Sequence, residues 1–178
     1  MLNELRVNCK NRTIPIISEE TESFLIKIIK KKKPKLCLEI GSAVGYSSIV
    51  IASIINERGG KLYSFEIGYV AYLEALSNFL KSNLTNILLY PFDFGKIDIK
   101  KFFKDHLDFV FVDGQKSQYG NYMQNIENAL NQETIIVLDD VIKYHNKLNT
   151  LYGYLQKKQI NYKIFQIEHD DGVMLIKN

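Results

Sequence analysis

With 178 residues and 46% hydrophobic content, the chain is long enough for one α/β domain with a single core and too short for two ordinary ones. A formal net charge of +3 is too small to mark a nucleic-acid protein by itself. No apolar run approaches a membrane span, and the polar, acid-containing N-terminus does not resemble a signal peptide, so a cytoplasmic location is expected. Cys9 and Cys37 are the only cysteines, which supports neither a disulfide framework nor a zinc site.

In chain order, Phe24, Leu25, Ile28 and Ile29 recur with helical period from Ser18 onward, and Glu19, Glu20 and Glu22 fall in the first turn, where acids are favoured. The helix ends near Lys33 because Pro34 stops it. Lys30, Lys31, Lys32, Lys33 and Lys35 complement its C-terminal dipole, and a phosphate-contacting patch is the competing reading of the same run. Residues 1–33 form an N-terminal segment and helix, and 34–178 the core of a single domain spanning 1–178. A strand is expected over 35–40, a helix over 46–56, a turn at Arg58-Gly59-Gly60, and a second strand over 61–66. The alternation repeats: helix 69–83, strand 86–90, an irregular or weakly helical stretch 97–104, strand 107–112, helix 119–130, strand 134–138, helix 146–158. Strands 162–167 and 173–177 follow, joined through Asp171-Gly172, a hairpin signal. Near-continuous apolar strands separated by helices predict a doubly wound, mostly parallel seven-stranded sheet covered on both faces, finishing in an antiparallel hairpin at one edge.

The segment Leu36-Cys37-Leu38-Glu39-Ile40-Gly41-Ser42-Ala43-Val44-Gly45-Tyr46-Ser47-Ser48 takes a buried strand through a glycine-bearing turn directly into a helix. Gly41 and Gly45 let the backbone approach a ligand, and the free N–H groups where Tyr46 and Ser47 open the helix favour its anionic part. Glu39 places a carboxylate at the strand end, so the ligand expected here carries both charges, as an amino-acid head does. The dinucleotide fingerprint asks for a third glycine where this chain has Ser48, which speaks against a nicotinamide cofactor.

Ligands of doubly wound sheets bind outside the carboxyl ends of the strands. Glu39, Glu66, Asp113 and the pair Asp139-Asp140 all fall at such ends. Glu66 lies about 20 residues beyond the glycine turn, the spacing of an acid that accepts ribose hydroxyls. Asp113, Asp139 and Asp140 come from neighbouring strands, and two carboxylates about 4 Å apart repel by about 4 kcal/mol at an effective dielectric near 20. A cation relieves this, and hard oxygen donors without His or Cys suit Mg²⁺ or another divalent ion.

The spacing from Glu39 to Ser48 resembles the class I S-adenosylmethionine-dependent methyltransferases, specifically the cation-dependent, catechol-O-methyltransferase-like O-methyltransferases. Asp108-Phe109-Val110-Phe111-Val112-Asp113-Gly114-Gln115-Lys116 is similar to the family's fourth-strand motif, and Ile135-Ile136-Val137-Leu138-Asp139-Asp140 to its fifth-strand motif, where Asp-Asn is usual. The resemblance implies S-adenosylmethionine held by Glu39, Gly41, Gly45, Tyr46, Ser47, Glu66, Asp93 and Asp113. It further implies a divalent cation on Asp113, Asp139 and Asp140, and Lys116 as general base with a pKa brought down toward 7 to 8. Phe92 and Phe94 compete with Asp93 for the adenine. The chain begins shortly before the first core helix, so an open acceptor pocket is expected. The acceptor implied is a catechol-like small molecule. A 5-hydroxyuridine of tRNA is the alternative, toward which the lysine run leans, and a non-catalytic nucleotide-binding module is a further one. No membrane partner is expected, and a homodimer is compatible with this reading.

Overall fold

Apolar strands without alternation cannot face water on either side, and in the computed structural model, which describes residues 1–177, the central strands lie between two helical layers, whereas the edge strand Tyr162–Gln166 is exposed along its length and departs from the expected cover on both faces. The strands are β1 (Leu36–Ile40), β2 (Lys61–Phe65), β3 (Ile87–Tyr90), β4 (Phe109–Val112), β5 (Ile135–Leu138), β6 (Tyr162–Gln166) and β7 (Gly172–Lys177). They form one sheet in the order β3-β2-β1-β4-β5-β7-β6. The first five run parallel, and β7 joins β5 and β6 antiparallel. The hairpin therefore occupies the predicted edge.

Six helices cover the sheet: α1 (Leu2–Asn11), α2 (Glu19–Lys32), α3 (Tyr46–Asn56), α4 (Tyr69–Ser82), α5 (Tyr119–Ile126) and α6 (Asn149–Lys158). Side chains alternate across the strands. Cys37, Phe109, Phe111, Ile135 and Val137 pack with Leu25 and Ile29 of α2, Ile49 of α3 and Phe79 of α4. Leu38, Ile40, Val110, Val112, Ile136 and Leu138 pack on the other face with Met123 of α5 and Leu151 of α6.

Helix α2 begins where expected, with Ser18 accepting a 3.0 Å hydrogen bond from the Thr21 amide, and ends at Lys33 in a left-handed conformation. Helix α1 is not anticipated by the sequence, because only Leu5 and Cys9 of it are buried and two apolar positions make no legible stripe. Residues 94–101 resolve into two 3₁₀ turns, Phe94–Lys96 and Ile99–Lys101, each opened by an aspartate accepting from an amide two residues on. The Asp-Gly pair falls one step later than its turn signal suggests. Gly172 is already strand, paired with Gln166, and is glycine because a Cβ there would press into the Phe165 carbonyl.

Candidate active site

The carboxyl ends of β1, β2 and β4 bound a cavity of about 240 Å³ lined by Gly41, Ala43, Glu66, Ile67, Phe92, Asp93, Phe94, Asp113, Gly114, Gln115 and Tyr122, among others. Gly41 has φ +90°, and a Cβ on it would collide with the Asp113 carbonyl. A side chain here would therefore push β1 and β4 apart at the cavity floor. Gly45, at φ +85°, backs onto the Phe79 ring instead and serves the turn. Glu66 lies in the cavity wall, its carboxylate fixed by the Ala43 amide at 2.8 Å and the Gly68 amide at 2.6 Å, and a carboxylate so held keeps lone pairs for a ligand hydroxyl. Asp93, Phe92 and Phe94 line the same cavity, Asp93 also pairing with Lys96 at 3.2 Å. Ser42 Oγ, between the cavity-lining Gly41 and Ala43, is buried without a hydrogen-bond partner among the described residues and does not itself line the cavity.

Three expected ligand-binding side chains are placed elsewhere. Glu39 belongs to the strand proper, so alternation turns it onto the α3 face, where it is fully buried and accepts from Ser48 and, at 2.6 Å, from Ser64. Burial pushes its carboxyl up to about 7, against the pull of the Ser47, Ser48 and Ser64 hydroxyls. Ser47, at the other end of that bond, also faces inward. The Tyr46 hydroxyl points to α1 and α2, bonding Arg6 and Glu22. What Tyr46 and Ser47 offer a ligand is therefore backbone.

A second cavity, of about 440 Å³, is lined by Pro15, Ile16, Ile17, Ser18, Ala43, Asp113, Lys116, Asp139, Asp140, Lys143, Tyr144, Glu168 and Asp171. It shares Ala43 and Asp113 with the first. Five carboxylates here face two lysines. Lys116 Nζ stands between Asp113 and Asp140 at 2.7 Å from each and donates to the Tyr119 hydroxyl at 2.9 Å. Burial alone would lower its pKa, but Tyr119, Asp113 and Asp140 together raise it above the ordinary lysine value. With these groups around the ammonium the shift is upward, away from the fall toward neutrality that the resemblance implies. Asp139, nearly buried, is pushed up to about 8 by burial and then by Asp113 and Asp140. Burial likewise raises Asp113 and Asp171. Asp140 sits at φ +60°, a conformation that Asn and Asp tolerate best among side-chain-bearing residues.

The donor set suits a hard divalent ion in charge and atom type, since one ammonium leaves the carboxylate excess unbalanced. Among the described residues, however, no group of three His, Cys, Asp or Glu is disposed around a common centre, for Lys116 fills the space between Asp113 and Asp140. Sequence reasoning missed the cavity wall at 15–18, which carries no chemistry-bearing motif, and Asp171, whose Asp-Gly signal reads as a turn. In the structure Asp171 does both, its Oδ1 accepting from the Ile142, Lys143 and Gly172 amides while it lines the cavity. The N-terminal segment thus closes one side of a pocket expected to be open.

A seven-stranded sheet of this order, with a cleft at its carboxyl edge beside an acidic one, defines a Rossmann-like methyltransferase fold. The chain belongs to the O-methyltransferase family, whose model matches residues 1–175. It is 27% identical over 132 residues to bovine catechol O-methyltransferase, covering 71% of this chain and 48% of that protein. It is 27% identical over 136 residues to the caffeoyl-CoA O-methyltransferase of Stellaria longipes, covering 74% and 51%. The chain spans about half the length of these curated relatives. In fold it is similar to an O-methyltransferase from Bacillus cereus in complex with SAH, at TM-score 0.85 and 19% identity over 99% of this chain and 90% of that one. The O-methyltransferase of Streptomyces achromogenes involved in tomaymycin synthesis, in complex with SAM, gives TM-score 0.85 and 16% identity over 99% and 89%.

Proposed function

We propose that this chain transfers the methyl group of S-adenosylmethionine to a hydroxyl of a small, catechol-like acceptor. The observation that carries the reading is the junction of the two cavities at Ala43 and Asp113. A donor in the cleft and an acceptor in the acidic cavity meet there, which is the alignment that methyl transfer needs. Glu66 accepts the ribose hydroxyls, Asp93 with Phe92 and Phe94 holds the adenine end, and the amides at the start of α3 receive the amino-acid carboxylate. The C–O bond forms as the C–S bond breaks, with its electron pair leaving on sulfur.

Asp113, Asp139 and Asp140 are the residues that would hold a divalent ion. Such an ion, when bound, supplies Lewis acidity that makes an acceptor hydroxyl easier to ionise. Lys116 handles the proton: paired with Asp113 and Asp140 it holds its own, and freed from them it is placed to take the acceptor's.

A tRNA acceptor is disfavoured by two features. The lysines at 30–35 lie where β1 begins, whereas the cavities lie where it ends, roughly 17 Å away for a five-residue strand. The acceptor cavity itself is acidic. Incubation with labelled S-adenosylmethionine and Mg²⁺ against a panel of catechols and hypomodified tRNA tests the proposal. Methylated catechols support it, and label in tRNA alone overturns the acceptor class. Calorimetric preference for NAD over S-adenosylmethionine would remove the donor as well.

A further inference from the structure

The wall of the acceptor cavity is tied to the donor side of the molecule by one side chain. Residues 15–18 lie between α1 and α2, outside both helices, and all four line the acidic cavity. Arg6 of α1 reaches this segment and two further elements at once. Its Nη1 donates to the Ile17 carbonyl at 3.1 Å, its Nη2 to Glu22 Oε2 in the first turn of α2 at 2.6 Å, and its Nε to the Tyr46 hydroxyl at 3.0 Å. The Tyr46 hydroxyl donates to the same Glu22 oxygen at 2.8 Å, and the guanidinium lies 4.5 Å from the centre of the Tyr46 ring. Tyr46 is the first residue of α3, directly after the left-handed Gly45 that ends the glycine turn. The first turn of α2, which follows that segment, also touches the acceptor chemistry, where the Thr21 hydroxyl donates to Asp139 Oδ1 at 3.4 Å.

Beyond the packing of the buried Ile17 side chain and the Ser18 cap on α2, Arg6 supplies the side-chain link from α1 to this wall. Helix α1 buries only Leu5 and Cys9, and the turn that follows it is closed by amides of Arg12, Thr13 and Ile14 bonding back to α1, which leaves the cavity-lining residues beyond it. A planar guanidinium with five N–H donors can satisfy three partners in fixed directions; a lysine ammonium on a flexible stem cannot reproduce that fork. Charge-assisted bonds in a partly buried network are also the stronger kind.

We propose that Arg6 is a positioning residue that joins the acceptor wall to the first turn of α3, so that a donor seated on that turn orders residues 15–18 and completes the acceptor cavity. The proposal rests on the donor site assigned above. It makes donor and acceptor binding mutually favourable through a shared rigid body, since ordering the wall with the donor removes an entropy loss the acceptor would otherwise bear.

Hydrogen–deuterium exchange on the full chain, with and without S-adenosylhomocysteine, tests it, after calorimetry has established that this compound binds. In the unaltered protein the ligand is expected to slow exchange at residues 42–48 and, by tenfold or more, at 12–18. In Arg6→Lys the slowing at 42–48 persists while that at 12–18 falls below twofold. Glu22→Gln, which keeps the shape and removes the charge, gives the same pattern and serves if the first variant folds poorly. A merely structural role would change exchange at 12–18 in the absence of ligand but not the ligand-dependent difference. Equal slowing at 12–18 in all three proteins, or none in the unaltered one, overturns the proposal and leaves the donor site standing. Failure of S-adenosylhomocysteine to bind the unaltered protein overturns both.

Discussion

Glu39 and Glu66 end neighbouring strands, yet the fold gives them opposite work. Glu39 is within β1 and shares its pleat, so it points into the helix-covered face; Glu66 follows the last residue of β2 and escapes the alternation into the cleft. Because burial raises the folded-state pKa of Glu39 to about 7 from an ordinary 4.5, the folded protein retains a proton that the unfolded chain releases between those values. Stability therefore falls as pH rises from 4.5 through 7, by roughly 3 kcal/mol from this group. Urea denaturation across that range is expected to show a shallower slope in Glu39→Gln than in the unaltered protein, because the raised Asp113, Asp139 and Asp171 carboxyls keep their own contributions of the same sign. Glu66→Gln is expected to weaken S-adenosylhomocysteine binding by about tenfold or more in calorimetry, the loss of one charge-assisted hydrogen bond. Lys116→Met is expected to reduce methyl transfer about a hundredfold or more, with S-adenosylhomocysteine affinity within about threefold of the unaltered value by the ΔG arithmetic of a residue outside the cleft. The sequence marked Glu39 and Glu66 as site candidates through their strand-end positions, and Lys116 through its place three residues after Asp113 in the motif that carries the family resemblance. It could not say which carboxylate faces outward, because one residue of strand length decides that, nor that Asp140 would lock the Lys116 ammonium from the side opposite Asp113.

The elements were readable where apolar period and capping agreed. Helix α3 begins at Tyr46 and ends at Asn56 as its pattern requires, and β1, β2 and β5 are displaced from their expected bounds by single residues at most. Where tertiary contacts supply the order, the pattern is silent: α1 depends on Arg6 and two buried side chains, and the irregular stretch after β3 depends on Asp93 and Asp98 as local caps. Glycines show the same division. Gly41 is at φ +90° against the Asp113 carbonyl, so Gly41→Ala combines backbone strain with a clash across the β1–β4 junction and is expected to destabilise by about 3 kcal/mol or more. Gly153 lies inside α6 with nothing within 4 Å of its would-be Cβ. There Gly153→Ala is expected to stabilise by about 0.5 to 1 kcal/mol, a gain of helix propensity. Thermal denaturation of the two variants beside the unaltered protein distinguishes these signs.

At the scale of the molecule, the sheet separates two charge environments. Both cavities open at the carboxyl ends of the parallel strands, and the exposed lysines at the end of α2 gather where those strands begin. The double variant Lys31→Gln, Lys32→Gln is accordingly expected to leave transfer to a catechol within about twofold at 0.15 M salt, where screening already extends over only about 8 Å; rates measured side by side decide it. The sheet order also sets when the molecule can become whole. Strand β7, the last in sequence, is inserted between β5 and β6, and its Val173, Met174 and Ile176 are buried against both neighbouring layers. During synthesis β5 must wait with an open hydrogen-bonding edge until residues 172–177 leave the ribosome, and only then can β6 find its partner. A nascent chain stalled before Gly172 would therefore expose the unpaired edge of β5 to other chains and to chaperones, so the arrival of β7 sets when the sheet can close.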